Sequence, residues 1–150
     1  MYLLDTNCCS KILKKDPVVI EKLEALDDTI PSICVIVRGE LMFMAFNSKR
    51  EKENLEMVRS FMNEFDIYPL DDETADIYGK LKTGLMKKFG PKETSKRSKT
   101  KIHDLGVDDN DLWIAAVAKQ HGLTIVSEDK DFLRIAEIDS TIRIENWIIP

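Results

Sequence analysis

From Val107 to Phe132 the chain reads V-D-D-N-D-L-W-I-A-A-V-A-K-Q-H-G-L-T-I-V-S-E-D-K-D-F, and few folds accommodate that order. Acids open a helix. Ile114, Val117 and Ala118 recur at helical spacing, with His121 one turn further on. Gly122 fits the position just past a helix end, where a left-handed backbone is needed. Leu123 to Val126 is too short and too apolar for a surface helix and suits a strand buried in a parallel sheet. Ser127 closes that strand, and Glu128, Asp129 and Asp131 follow at once. One helix–strand unit therefore carries carboxylates at its helix start and just beyond its strand end. In open α/β sheets, functional crevices lie outside the carboxyl ends of the strands.

The same reading extends along the chain. Met1 to Leu4 is apolar and stops at Asp5, which predicts a first strand in the middle of the sheet. Asp5-Thr6-Asn7 then supplies helix-cap residues, and a short helix turns Ile12 and Leu13 inward. Asp16-Pro17 starts a second helix, with Pro at its first position and Val19, Ile20, Leu23 and Leu26 on its buried face. Thr29 to Ile33 predicts a second strand, kept short by Pro31. Cys34 to Phe46 is apolar almost all round, which suits either deep packing or a surface offered to a partner. Within it Met42, Phe43 and Phe46 are candidates for a partner groove. Glu40 is the exception in that run, because a lone buried carboxylate needs a cation, a metal or solvent.

Ser48 to Glu64 is amphipathic, with Leu55, Val58 and Met62 on one face and Phe65 continuing it. Asp66 to Leu70 predicts a third strand. Asp71 or Asp72 caps the next helix, whose stripe is Ala75, Tyr78, Leu81 and Leu85 and which ends near Gly90-Pro91. Lys92 to Asp104 lacks apolar periodicity and reads as an exposed loop. Phe132, Leu133 and Ile135 predict a short helical turn, and Thr141 to Ile149 a terminal edge strand. Neither a repeat nor a domain boundary interrupts residues 1–150, so the expectation is a single domain with a basic insert at about 87–104.

The net charge of −5 argues against broad nonspecific binding to nucleic acid. The average conceals an asymmetry. Between Lys80 and Lys101 nine bases face Glu93 alone, a local balance of +8 that leaves −13 for the remainder. Lys87, Lys88, Lys92, Lys96, Arg97 and Lys99 are candidate phosphate contacts in that segment. No apolar run is long enough to span a bilayer and no signal-like segment opens the chain, so the expected location is the cytosol. Cys8, Cys9 and Cys34 form no C-x-x-C pair and read as small buried apolar residues.

Under the sheet reading Asp5 follows strand one, Asp129 follows a later strand, and Asp111 lies in the first turn of the helix between them. Glu40 can join from the helix after strand two. Carboxylates a few ångströms apart raise one another's pKa, and a divalent cation removes the conflict. An all-carboxylate set suits Mg²⁺ or Mn²⁺ rather than zinc, and neither His103 nor His121 stands at zinc-ligand spacing from these acids. Such sites perform phosphoryl chemistry. The absence of a G-x-x-x-x-G-K-[ST] loop argues against a nucleoside triphosphatase.

Four segments, M-Y-L-L-D-T-N, R-G-E-L, N-D-L-W-I-A-A and V-S-E-D-K-D-F, resemble in order and spacing the PIN-domain ribonucleases of the VapC toxin class. The resemblance spans nearly the whole chain. It implies a PIN-like three-layer α/β/α sandwich with a mainly parallel central sheet, and cleavage of RNA dependent on Mg²⁺ or Mn²⁺. It also implies a cognate antitoxin, a toxin–antitoxin hetero-oligomer and a homodimer. Carried over by motif, Asp5, Glu40, Asp111 and Asp129 form the acidic constellation and Asp131 is a further contributor. Thr6, Asn7 and Ser127 occupy the supporting polar positions. Four alternatives share parts of the pattern. A haloacid-dehalogenase phosphatase wants an Asp where Asn7 stands, and a receiver domain wants a Lys after its last strand. A non-catalytic partner module, or an RNA-processing nuclease without an antitoxin, is the remaining alternative.

Overall fold

Tyr2–Leu4 (β1) is the middle strand of a five-stranded sheet ordered β3-β2-β1-β4-β5 in the computed structural model, which describes residues 1–148. The remaining strands are Ser32–Cys34 (β2), Asp66–Tyr68 (β3), Thr124–Val126 (β4) and Arg143–Glu145 (β5). All four pairings are parallel. Leu3 and Leu4 point to opposite faces, as successive strand residues must, and both are wholly buried. Helices therefore cover both faces, and the architecture is an α/β/α sandwich.

The chain leaves β1 on one side to build β2 and β3, then returns to place β4 on the other side of β1. The strand order thus reverses between β1 and β4, and a crevice opens beyond their carboxyl ends at such a point. The register pairs Leu4 with Val126, so Asp5 and Ser127 emerge side by side. Asp5 N–H donates to the Val126 carbonyl at 3.2 Å.

Thr6–Leu13 (α1) and Pro17–Glu24 (α2) follow β1, capped by Asp5 and Asp16. Val35–Phe46 (α3) and Glu51–Met62 (α4) lie between β2 and β3. Asp72–Phe89 (α5) is capped by Asp71 through a reciprocal box with Thr74. Asp109–His121 (α7) ends at Gly122, whose φ of 64° is the left-handed conformation the sequence required. Lys130–Ala136 (α8) precedes β5. Cys8, Cys9 and Cys34 are buried thiols. Trp147 is buried against Tyr2, with ring centroids 5.2 Å apart, which pins the chain's end to the central strand.

Several boundaries differ from the sequence reading. The second strand starts at Ser32, beyond Pro31, and leaves Thr29 and Ile30 exposed. The amphipathic helix starts at Glu51, because Ser48 Oγ donates to the Ala45 carbonyl and accepts from Asn54 Nδ2 in the preceding turn. In α5 the buried position is Thr74 and not Ala75, which is exposed. Thr74 meets Gln120 of α7 through its hydroxyl, so a polar contact replaces an apolar one there. Residues 92–104 are not a plain loop. They contain Thr94–Arg97 (α6) and a 3-10 turn at Ile102–Leu105. Ile102 and Leu105 are buried, and Arg134 donates to the Leu105 carbonyl. The i,i+3 apolar pair that anchors the segment was visible in the sequence. Ile149 of the terminal strand reading lies outside the described residues.

Candidate metal centre

Two helices begin at the crevice, and their caps interlock. Asp108 caps α7, its Oδ1 accepting the Asn110 N–H at 2.8 Å. Asp129 caps α8, its Oδ1 accepting the Asp131 N–H at 2.9 Å. Asp131 Oδ2 in turn accepts the Asp108 N–H at 2.9 Å. Acids are favoured in first helical turns by the partial positive charge there, which reconciles so many carboxylates with stable helices. The result is that one oxygen each from Asp111, Asp129 and Asp131 lies within 4.8 Å of the others.

Asp5 stands behind this group, only 3% exposed. Its Oδ1 accepts the Cys8 N–H at 2.6 Å and its Oδ2 accepts the Ser127 hydroxyl. Ser127 Oγ accepts the Asp129 N–H at 2.9 Å. One hydroxyl therefore ties the acid after β1 to the acid after β4. Ser127→Ala leaves a buried carboxylate oxygen without its donor. It is expected to destabilise the protein by about 1–3 kcal/mol in urea unfolding, whereas Ser127→Thr, which keeps the hydroxyl, is expected to retain more of that stability.

Glu40 joins from α3. Its carboxylate accepts the Thr6 hydroxyl on one oxygen and Asn110 Nδ2, at 2.9 Å, on the other. Thr6 stands beside Asp5 and Asn110 beside Asp111, so these bonds tie Glu40 to both flanks of the cluster. Asn7, a supporting position in the sequence reading, is exposed and makes no side-chain hydrogen bond among the described residues. Asn110 does that work instead. Its signal was its place immediately before Asp111, in the motif already singled out.

Burial pushes the Asp111 carboxyl up to about 8, reinforced by Asp129, Asp108, Asp131 and Asp5 in that order. Burial pushes Asp5 up to about 6, against the opposing hydrogen bonds from Ser127 and Cys8. Asp131 is raised by desolvation, with the Asp108 N–H opposing and Asp129 adding to the rise. Among the described residues none of Asp5, Glu40, Asp111, Asp129 and Asp131 forms an ion pair with Lys or Arg. The nearby pairs engage neighbouring acids: Lys11 with Glu128 at 3.2 Å and Lys82 with Asp109 at 3.9 Å. A crowded set of oxygen donors with no ion-pair partner among the described residues fits a hard divalent ion, and Asp5, Asp111 and Asp131 are strained without one.

The candidate partner residues separate. Phe43 and Phe46 are 68% and 52% exposed, whereas Met42 is half-buried against the core. An apolar groove of about 300 Å³ runs between α1, α3 and α4, and Met44, Leu41, Met57 and Val58 line it rather than those three. Phe43 instead borders a separate cavity with Gly39, Glu40 and Asn110. Of the basic candidates, Lys88 pairs with Glu137 at 2.7 Å and Lys96 with Glu93 at 3.1 Å. Among the described residues, no helix is long and apolar enough to cross a membrane.

Known proteins match this architecture along its length. The PIN domain family matches residues 2–138. Ribonuclease VapC2 of Rickettsia felis is 30% identical, over 98% of both chains. The tRNA(fMet)-specific endonuclease VapC of Salmonella typhimurium is 28% identical, over 97% of both. The crystal structure of DNA-bound VapBC from Salmonella typhimurium superposes with a TM-score of 0.78 at 28% identity, over 97% of both chains.

Proposed function

The chain belongs to the PIN-domain family, and on that footing we propose that it is the endoribonuclease toxin of a toxin–antitoxin pair, dependent on Mg²⁺ or Mn²⁺. The observation that carries the proposal is the convergence of Asp111, Asp129 and Asp131 within 4.8 Å at the β1/β4 reversal. Asp5 and Glu40 are bonded into the same network. The relatives named as VapC ribonucleases support the chemistry, and the VapBC structure supports the assembly.

In this reading Asp111, Asp129 and Asp131 would hold the divalent ion, and Ser127 holds Asp5 in place behind them. The ion supplies Lewis acidity toward the phosphate and toward the attacking water. Thr6 and Asn110 hold Glu40 in one orientation, so that its carboxylate can take a proton from that water as it attacks phosphorus. The bond from phosphorus to the 3′ oxygen then breaks, and that oxygen takes a proton from solvent to leave as a hydroxyl. Residues 87–104 form a basic insert of a single domain, 1–150, whose Lys87, Lys88, Lys92, Lys96, Arg97 and Lys99 draw RNA toward an otherwise acidic body. The groove between α1, α3 and α4 receives an apolar helix of the cognate antitoxin, with the exposed Phe43 and Phe46 beside it. The complex is cytosolic and built on a toxin homodimer.

Purified chain incubated with total RNA should produce discrete new 5′ ends on addition of Mg²⁺ or Mn²⁺. It should produce none with chelator, and none when the protein encoded beside it is bound. Initiator transfer RNA belongs in the substrate panel, because the Salmonella relative is named for it. Cleavage that survives chelation, or its absence with every RNA and both ions, would remove the proposal.

A further inference from the structure

The strongest feature outside the acid cluster is a cavity of about 510 Å³ between α5 and α6. Lys82, Lys87 and Arg97 line it together with Thr94 and Ser98, over the thioether of Met86. No acid lines it, although Lys82 is itself paired with Asp109. Lys87 is exposed and forms no ion pair among the described residues. Arg97 donates from Nη2 to Thr94 Oγ1 at 3.0 Å, while its Nε is buried with no partner among the described residues. A buried donor left unmade costs free energy, and guanidinium donors match phosphate oxygens better than any other side chain does. Ser98 spends its proton on the Ser95 carbonyl, but Thr94 only accepts from Arg97, so its own hydroxyl proton is available to an anion.

Lys82 connects the cavity to α7, the helix that carries Asp111. Lys82 Nζ donates to Tyr78 OH at 2.9 Å and lies 3.9 Å from Asp109, in the same first turn of α7 as Asp111. Tyr78 stacks on Trp113 of α7, ring centroids 3.8 Å apart. The wall of the cavity is thus fixed rigidly to the helix that carries Asp111.

We propose that this cavity seats one backbone phosphate of the RNA strand, distinct from the phosphate being cut, and that it sets the register of the strand across the acids. The inference rests on the ribonuclease reading and narrows it. Of the basic segment, only Lys87 and Arg97, joined by Lys82 from the body of α5, contact the strand at a fixed point. Lys92 and Lys99 contribute general field.

Cleavage of an RNA substrate by the full chain, followed across a salt series, tests this. For Lys87→Ala and Arg97→Gln the expectation is a several-fold rise in KM with kcat little changed, the pattern of lost uniform binding. The salt slope of log KM should flatten by about 0.7 for each lost contact, the value for single strands. Arg97→Lys should recover part of the loss, and Lys101→Ala, an equal loss of charge at an exposed residue outside the cavity, should leave KM nearly unchanged. An equal effect from Lys101→Ala would show diffuse attraction and overturn the seat. So would unchanged KM and salt slope in both cavity variants of an active enzyme. Normal cleavage by these variants with lost inhibition by the antitoxin would assign the cavity to a protein segment instead. Thermal stabilisation by inorganic phosphate that Lys87→Ala abolishes, with RNA kinetics unmoved, would assign it to a free anion. Wild-type chain inert toward RNA would remove the nuclease reading itself, a result distinct from all of these.

Discussion

Asp111→Asn is expected to lower RNA cleavage by about 10²–10³-fold, the scale on which one electrostatic contact to a transition state acts, while making the metal-free protein more stable above pH 8. The two effects share one cause. Asp111 is half-buried with Asp129, Asp108, Asp131 and Asp5 around it, and its carboxyl is pushed up to about 8. Ionising it without a counter-ion costs the folded state and not the unfolded one. Asn keeps the shape and removes the charge, so the apo fold is relieved. The same change removes an oxygen donor from the group, so thermal stabilisation by Mn²⁺ should shrink or vanish. Asp109→Asn is the control. Asp109 accepts the Tyr78 hydroxyl at 2.6 Å and faces Lys82, so its charge is already compensated. That variant should lose a little stability and keep both cleavage and the response to Mn²⁺. A strongly destabilised Asp111→Asn apo protein, read by thermal melting at pH 8.5, would identify Asp111 as a structural partner and not a strained ligand.

Much of this arrangement was legible in the residues, for reasons that are local. Asp5, Asp16 and Asp71 are caps because short acceptors satisfy free N–H groups at helix starts, and each performs that role. Gly122 marked a left-handed turn, and the apolar run after it marked a buried strand. The sheet places β1 in the middle, as the reading expected. What the sequence hid depends on pairs distant along it. The stripe was read through Ala75, yet Thr74 is the buried neighbour, because Gln120, on another helix, offers it a polar partner. Asn110 entered only as part of the N-D-L-W-I-A-A motif, but it holds Glu40 across 70 positions. Asn7, a supporting position implied by the resemblance, is exposed. Residues 92–104 were misjudged as a loop because their polar composition drowned the Ile102–Leu105 pair. Two buried side chains suffice to fold that stretch onto the body.

The second large effect is on pH dependence. In divalent-free buffer the protein is expected to lose stability as pH rises from about 4 to about 8, the reverse of ordinary acid denaturation. The folded state holds the Asp5 proton up to about 6 and the Asp111 proton up to about 8, against a usual value of 3.8. Over that interval the native chain binds more protons than the unfolded one, so the stability they confer is complete below pH 4 and is lost as each group ionises. Asp5 alone, nearly fully buried, accounts for about 3 kcal/mol at 1.36 kcal/mol per pKa unit. In a chain of this size that corresponds to roughly 6–12 °C in melting temperature. A divalent ion binds only the ionised set, so its effect has the opposite slope. Mg²⁺ or Mn²⁺ should barely move the melting temperature at pH 5. At pH 8 it should restore about 3 kcal/mol once the ion exceeds its dissociation constant a hundredfold. Differential scanning calorimetry with and without chelator measures both slopes. Apo stability that climbs steadily from pH 5 to pH 8 would mean that these carboxylates are already compensated by the fold. An ion-induced shift of equal size at both ends would place the bound ion somewhere other than among Asp5, Asp111, Asp129 and Asp131.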